Sequence, residues 1–187
     1  MRAKAPKKPD RRIGRTRHLL RDALVSLILE RGWDAVTVVE VCDKANVGRS
    51  TFYAHFVDKE DLLVSGFDEL ASSLHAHRRA ATGSFAFAEP LIEHARENQR
   101  LFRAVVGKRS GQTVQRRFRD VVVNLVEAEV DRAHLSRAHR DATVRYIAGG
   151  FVELLTTWLD RPGTMKPADL AGLFRRLTSA TLGARIG

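Results

Sequence analysis

The most informative stretch of this chain is residues 37–59, TVVEVCDKANVGRSTFYAHFVDK. Its pattern predicts two short helices joined by a tight turn, and then a second turn that leads into a longer helix. Thr37 is placed to cap the first helix, and Glu40 three residues later completes a capping-box pattern. Asn46 is expected to end that helix, because asparagine tolerates a left-handed backbone better than most residues.

The second of these helices is predicted to run from about Gly48 to His55. Phe52 and Phe56 lie four residues apart, so both rings can face the interior while small and polar side chains stay outside. Asp58 is expected to cap the longer helix that follows. A short helix with this division of faces suits insertion into the major groove of DNA.

Residues 47–63, VGRSTFYAHFVDKEDLL, resemble the helix-turn-helix signature of the TetR family of bacterial transcriptional regulators. The resemblance is strong over residues 15–67, and elsewhere it concerns length, helical character and two short stretches. It implies an all-α fold of about nine helices, with a three-helix DNA-binding head and a C-terminal helical bundle for ligand binding and dimerisation. The expected domains are a disordered basic arm at residues 1–14, the DNA-binding domain at 15–60 and the regulatory and dimerisation domain at 61–187.

The resemblance also implies which side chains contact DNA. Arg49 and its neighbours are expected near base edges or phosphates, since arginine can bond guanine through two donors. The aromatic and basic residues that follow are expected to contact phosphates. The predicted set is Thr37, Gly48, Arg49, Ser50, Thr51, Tyr53, His55 and Lys59.

Three residues of the turn and second helix depart from those that the family often has, namely Asn46, Gly48 and Ser50. Gly48 remains an acceptable helix cap, a few tenths of a kcal/mol weaker than serine. The motif therefore indicates that the chain reads DNA, without indicating which base sequence it prefers.

Positive charge is concentrated at the start of the chain. The net charge is +10, from 32 lysines and arginines against 22 acidic residues, and residues 1–17 hold eight basic side chains and one acidic one. Such an arm can release counterions from DNA and reach beside the groove that the helix enters. A solubilising tail without fixed contacts is the alternative. The first helix is predicted from about Thr16 to Arg31, and the predicted arm contacts are Arg11, Arg12, Arg15 and Arg17.

The C-terminal bundle is expected to enclose a small hydrophobic or amphipathic molecule, because TetR-like regulators usually do so. Aromatic and apolar residues at helical spacing supply the candidate walls, and an ordinary core is the alternative for each of them. The candidate pocket residues are His94, Phe102, Phe118, Val122, Tyr146, Phe151 and Trp158.

The last two helices, predicted at about residues 137–159 and 167–182, carry the candidate dimer surface. Paired across a two-fold axis, as the resemblance implies, they would form a four-helix bundle and require a palindromic operator. The alternative is that both apolar stripes close the core of a single chain. The candidate interface residues are Val144, Ile147, Phe151, Leu155, Leu173, Phe174 and Leu177.

Other classes of protein find little support in the sequence. There is no dinucleotide fingerprint and no His-Glu-x-x-His, and residues 107–111 lack the full spacing of a phosphate loop, so no catalytic residue is assigned. The seven histidines form no ligand cluster, and neither a metal nor a cofactor is expected apart from an effector. Cys42, the single cysteine, excludes an intramolecular disulfide and is expected in the core. No signal peptide or membrane-spanning stretch is evident, so a cytoplasmic location is expected.

The resemblance to the TetR family implies a ligand-responsive transcriptional repressor. It would bind a palindromic operator as a homodimer, and a small-molecule effector would release it. The alternatives are a nonspecific or ligand-independent DNA-binding protein and a transcriptional activator of the same fold.

Overall fold

The computed structural model describes residues 11–80, 83–106, 112–130, 136–161, 163 and 165–183. Regular secondary structure in these ranges is entirely α-helical, as predicted, and none of the helices there is long and apolar enough to cross a membrane. The nine helices are α1 (Arg11–Arg31), α2 (Val38–Ala45), α3 (Arg49–Tyr53), α4 (Lys59–Ala80), α5 (Ala88–Glu97), α6 (Gln99–Val105), α7 (Gln112–Val130), α8 (Arg137–Asp160) and α9 (Pro167–Gly183).

The chain divides into two compact units, residues 1–63 and 64–187. In the first unit, α1 packs against α2, and α2 packs against α3. Burial of one apolar stripe from each helix drives this packing, since isolated helices of five and eight residues are unstable in water. The core includes Leu20, Leu24, Ile28, Trp33, Val41, Cys42, Phe52, Phe56 and Leu62.

The first helix begins earlier than predicted. It starts at Arg11 instead of about Thr16, so residues 11–14 of the predicted disordered arm are helical, while residues 1–10 lie outside the described ranges. Arginine is a good helix former, and the single Gly14 lowers helix stability by only about 1 kcal/mol relative to alanine. The helix can therefore extend through this residue towards the N-terminus. The prediction that the disordered arm reaches residue 14 is therefore wrong.

The second unit is built around two groups of aromatic side chains. In the first group, the ring centroid of Phe174 on α9 lies 4.9 Å from that of Phe151 on α8 and 5.5 Å from that of Phe85. Phe87 packs edge-to-face on Phe151 at 5.4 Å. These contacts join α5, α8 and α9 into one layer.

The second aromatic group lies between α4, α6 and α7. The Phe118 ring on α7 lies 5.6 Å from Phe67 and 5.7 Å from Phe102. Asn98 separates α5 from α6, as the sequence predicted, and the side chain of Gln99 donates a hydrogen bond to the Leu159 carbonyl at 2.7 Å. That bond ties the start of α6 to the end of α8.

Candidate nucleic-acid interface

The turn between α2 and α3 has the predicted helix-turn-helix form. Asn46 adopts the left-handed conformation, with φ 52° and ψ 47°, and its N–H donates to the Asp43 carbonyl at 3.2 Å. The N–H of Val47 donates to the Cys42 carbonyl at 3.0 Å. Gly48 caps α3 in an extended conformation, without a side chain to bond the free N–H groups. The predicted end of α2 at Asn46 and the cap of α3 at Gly48 are thus confirmed, while the DNA contact of Gly48 stays a prediction.

A capping box fixes the start of α2. The Thr37 hydroxyl accepts the Glu40 N–H at 3.3 Å, and the Thr37 N–H and hydroxyl donate to Glu40 Oε2 at 2.9 and 2.8 Å. Arg31 at the end of α1 donates to Glu40 Oε1 at 2.7 Å. The bonds from the Thr37 hydroxyl, from Arg31 and from the Thr37 N–H lower the pKa of Glu40 from 4.5 to about 2.

The capping box limits what Thr37 can offer to DNA. A hydroxyl has one hydrogen, and Thr37 already gives it to Glu40. A phosphate only accepts hydrogen bonds, so it would need that hydrogen or the backbone N–H. The capping role of Thr37 is confirmed, while its predicted phosphate contact stays a prediction.

The outer face of α3 presents a compact set of polar groups. Arg49, Ser50 and Thr51 are exposed, and the Tyr53 side chain is 60% exposed. The helix is held from behind by Phe52, which is fully buried and meets Tyr53 edge-to-face at 5.3 Å. The structure therefore brings together a guanidinium, two hydroxyls and a phenol on a helix narrow enough for a major groove about 12 Å wide.

The turn after α3 leads into α4 through two aspartates. Asp58 Oδ1 accepts the Asp61 N–H at 2.7 Å and so caps α4, as predicted. Asp61 Oδ2 in turn accepts the N–H of Val57 at 3.0 Å. Val57 itself is 78% exposed, and His55 is half-buried beside the Phe56 ring. The exposure of Val57 was not predictable from the sequence, because a residue in a turn has no helical period to place it.

The Lys59 ammonium points into the first unit. Its Nζ donates to the Trp33 carbonyl at 3.0 Å and to the Val36 carbonyl at 2.8 Å. It also lies over the Trp33 ring, 4.6 Å from the centroid. The sequence pattern predicts a phosphate contact for this lysine and contains no signal for its two backbone partners.

The predicted arm contacts lie within α1. Arg15 is exposed, whereas Arg17 is half-buried with its guanidinium 5.1 Å from the centre of the Phe56 ring. Arg11 and Arg12 lie in the first turn of α1, and their side chains are outside the described part of the structure. Arg17 thus packs against the core that supports α3.

Two ion pairs that the sequence analysis missed join α1 to α2. Arg31 pairs with Glu40 at 2.7 Å, and Lys44 pairs with Glu30. All four side chains are substantially exposed, so each pair orients the helices more than it stabilises them. The sequence does contain a signal for these pairs, because opposite charges occur at the end of α1 and along α2.

Three of the candidate pocket residues, His94, Phe102 and Phe118, pack against one another through their rings. Phe118 and Val122 are fully buried, and the half-buried His94 ring stands edge-on to Phe102 at 5.8 Å. Burial lowers the pKa of His94 below its usual 6.5, which favours the neutral imidazole. Among the described side chains, this arrangement is that of a core, the alternative that the sequence left open.

Tyr146 requires a correction, because it is 69% exposed on α8 and lines no part of this core. Successive residues of a helix are separated by 100°, and the buried Val144 and Ile147 define the inner face of α8. Position 146 therefore points away from that face, and an apolar stripe alone could not show this.

Two adjoining clefts open elsewhere on the second unit. One, of about 880 Å³, lies between the segment before α5, α5 itself and the start of α9, and is bordered by Glu89, Glu93 and Arg175. The other, of about 430 Å³, shares Arg96, Lys166 and Pro167 with it and reaches Trp158. Trp158 is thus the one candidate pocket residue that borders either of these clefts.

The choice of interface residues also needs correction, while the dimer itself stays a prediction. Five of the seven proposed interface residues are buried within this single chain, because α8 packs on α7 and α9 packs on α5. They are Val144, Ile147, Phe151, Leu155 and Phe174. Leu173 is half-buried and Leu177 is 54% exposed. The outer faces of α8 and α9 instead present Tyr146, Gly150, Leu177 and Thr181.

Within the described residues, no group of three or more histidine, cysteine, aspartate or glutamate side chains is placed to hold a metal ion. Cys42 is buried, and burial raises the pKa of its thiol. Residues 107–111, which resemble part of a phosphate loop, lie outside the described ranges.

Comparisons with known proteins agree with both halves of the chain. Residues 20–65 match the family described as bacterial regulatory proteins, tetR family, and residues 84–180 match that described as transcriptional regulator C-terminal region. The HTH-type transcriptional regulator YxbF of Bacillus subtilis (strain 168) is 30% identical over 90 residues. That match covers 48% of this chain, which spans only 24% of the length of YxbF.

Solved structures share the fold over almost the whole chain. A TetR transcriptional regulator from Streptococcus agalactiae 2603V is 26% identical with a TM-score of 0.69, over 90% of this chain and 96% of that one. NalD, the secondary repressor of the MexAB-OprM multidrug efflux pump in Pseudomonas aeruginosa, is 18% identical with a TM-score of 0.65. That alignment covers 94% of this chain and 100% of NalD, and its likeness concerns the fold alone.

Proposed function

Because this chain belongs to the TetR family of bacterial transcriptional regulators, we propose that it represses transcription from a palindromic operator as a homodimer. The observation that carries the proposal is the outer face of α3. Arg49, Ser50, Thr51 and Tyr53 are all exposed there on a helix that buried Phe52 holds in place. A chromosomal operator would place the protein in the cytoplasm.

In the proposed complex, α3 enters the major groove. Arg49 donates to base edges or to adjacent phosphates, and the hydroxyls of Ser50 and Thr51 bond what lies next to them. Tyr53 and the half-buried His55 contact phosphates at the margin. The exposed backbone at Gly48 lies at the start of the same helix and can approach the same partner closely.

Dimerisation is proposed through the outer faces of α8 and α9. Leu177 is an exposed apolar residue there, and Gly150 presents no side chain, which allows close approach of a second helix. Tyr146 adds a large ring to the same helix pair. Two copies related by a two-fold axis would present two α3 helices to two half-sites.

Release by a small amphipathic effector completes the proposed function. The effector must bind one state of the protein better than the other, since equal affinity would shift nothing. The adjoining clefts at α5 and α9 offer charged walls beside the apolar ring of Trp158.

To test this function, the unsubstituted protein first selects a DNA duplex from a randomised library. The affinity of each variant for that duplex is then measured. We expect Arg49→Ala to weaken binding by about tenfold or more, because a two-donor base contact contributes about 1–3 kcal/mol. Tyr53→Phe should weaken it less, by loss of one hydroxyl contact. Arg116→Ala on α7 is the control, since it removes the same charge from an exposed site in the second unit. Equal binding by folded Arg49→Ala, Tyr53→Phe and parent proteins would contradict the assignment.

A further inference from the structure

Lys59 opens α4 at the point where the chain leaves the helix-turn-helix. Two of its three N–H donors are used by carbonyl oxygens, those of Trp33 at 3.0 Å and Val36 at 2.8 Å. The indole ring of Trp33 covers another side of the ammonium at 4.6 Å. Its surroundings are therefore those of a structural cation that stabilises its own protein.

We propose that Lys59 is a positioning residue, which braces α4 against the loop between α1 and α2 and makes no contact with DNA phosphate. The loop in question is residues 32–37, and Lys59 bonds both carbonyls that frame its turn. The Trp33 carbonyl also accepts the Val36 N–H at 3.3 Å, so one oxygen serves both the turn and the lysine. This inference rests on the DNA-binding function proposed above.

The brace acts on the reading helix through a short chain of contacts. Val36 immediately precedes Thr37, whose capping box sets the first turn of α2. α2 then leads through the turn at Asn46 into α3. Holding the carbonyl of Val36 therefore fixes the starting point of the two helices that present Arg49 to DNA.

While this arrangement holds, a phosphate could accept only from the third N–H donor of Lys59, and a direct ion pair of the whole ammonium would require the side chain to leave it. Hydrogen bonds from a charged donor are stronger than neutral ones, and both carbonyls are part-buried with the lysine. Moving the ammonium outward would break two such bonds and its contact with the ring. Exposed Arg49 needs no such rearrangement to reach a phosphate.

The test compares Lys59→Met with Lys44→Met, the same substitution at an exposed lysine on α2. Thermal unfolding is followed without DNA, and affinity for the selected duplex is then measured across a series of salt concentrations. We expect Lys59→Met to lower the unfolding midpoint by about 4 °C or more, and Lys44→Met to lower it by less. We expect Lys59→Met to weaken DNA binding by about tenfold, through loss of a pre-ordered reading surface.

The salt dependence separates a brace from a phosphate contact. Each lost phosphate contact lowers the slope of log affinity against log salt by about 0.9 in magnitude. A brace leaves that slope unchanged while both stability and affinity fall. A reduced slope, or an unfolding midpoint equal to that of the parent, would overturn the proposal.

Lys59→Gln keeps the test decisive if Lys59→Met fails to fold. The amide of glutamine carries no charge but can donate to one carbonyl, so some stability should return, and the salt slope should equal that of the parent. A smaller slope for this variant contradicts the proposal. The comparison of unfolding midpoints needs no DNA. It therefore tests the structural role of Lys59 even if the protein selects no duplex.

Discussion

At the scale of single residues, the carboxylate of Glu40 fixes the start of α2, the helix that precedes α3. It accepts bonds from the Thr37 hydroxyl, the Thr37 N–H and the Arg31 guanidinium. These bonds favour the charged carboxylate and so lower its pKa to about 2. Folding and the ionisation of Glu40 are therefore linked.

The sign of this linkage gives a prediction. A carboxyl whose pKa falls from 4.5 to about 2 on folding stabilises the protein fully above pH 4.5. This contribution is lost as the pH falls from 4.5 towards 2. We expect Glu40→Gln to unfold at a lower temperature than the parent at pH 6, with a difference that narrows below pH 4.5.

Thermal unfolding at a series of pH values between 6 and 3 measures this difference. Glu127→Gln, an exposed substitution on α7, should leave the parent's profile unchanged over the same range. A constant difference between Glu40→Gln and parent across the whole range would mean that the ionised carboxylate has no special role.

At the scale of secondary-structure elements, the turn between α2 and α3 depends on one backbone conformation. Asn46 has φ 52°, in the left-handed region where a β-carbon is unfavourable. Glycine has no such penalty, and asparagine tolerates the region better than alanine. The angle between the two helices is therefore sensitive to what stands at position 46.

Substitutions at position 46 should differ in their effect on the free energy of unfolding. Asn46→Ala should lower the free energy of unfolding by roughly 1–2 kcal/mol, whereas Asn46→Gly should be close to the parent. Urea denaturation of the three proteins measures both values. Equal losses for alanine and glycine would show that the asparagine side chain matters and that the backbone conformation does not.

These elements show how far sequence reasoning reaches. The cap at Thr37, the end of α2 at Asn46 and the buried face of α3 were predictable, because each depends on residues within one or two turns. The two partners of Lys59 lie 23 and 26 residues away in sequence, so local spacing carried no signal for them. The phosphate contact of Thr37 remains a prediction, whereas for Lys59 we propose the brace in place of a phosphate contact.

At the scale of the whole molecule, an apolar stripe indicates that one face of a helix is buried. It does not indicate which element covers that face. Phe174 and Phe151 were expected between two chains, and both lie in the core of one chain. Tyr146 was expected inside and is exposed. Periodicity gives the position of a residue around its own helix, whereas the packing partner depends on the tertiary arrangement.

The outer surface of α9 supplies the prediction at this scale. Leu177→Glu should convert the proposed dimer to monomers and leave the helical content unchanged, since Leu177 is 54% exposed within one chain and a charge there opposes burial at an interface. Sedimentation equilibrium measures the change. Leu19→Glu is the control at a leucine that is 43% exposed on α1. A Leu177→Glu protein that is as dimeric as the parent would place the interface elsewhere.

The central claim is that the exposed face of α3 reads a specific palindromic DNA sequence. The most direct measurement is the base sequence enriched when parent and Arg49→Ala proteins each select duplexes from the same randomised library. We predict an inverted repeat for the parent and, for Arg49→Ala, a loss of preference at one symmetric pair of positions. Enrichment of no common sequence by the parent, or of the same sequence by both proteins, would contradict the claim.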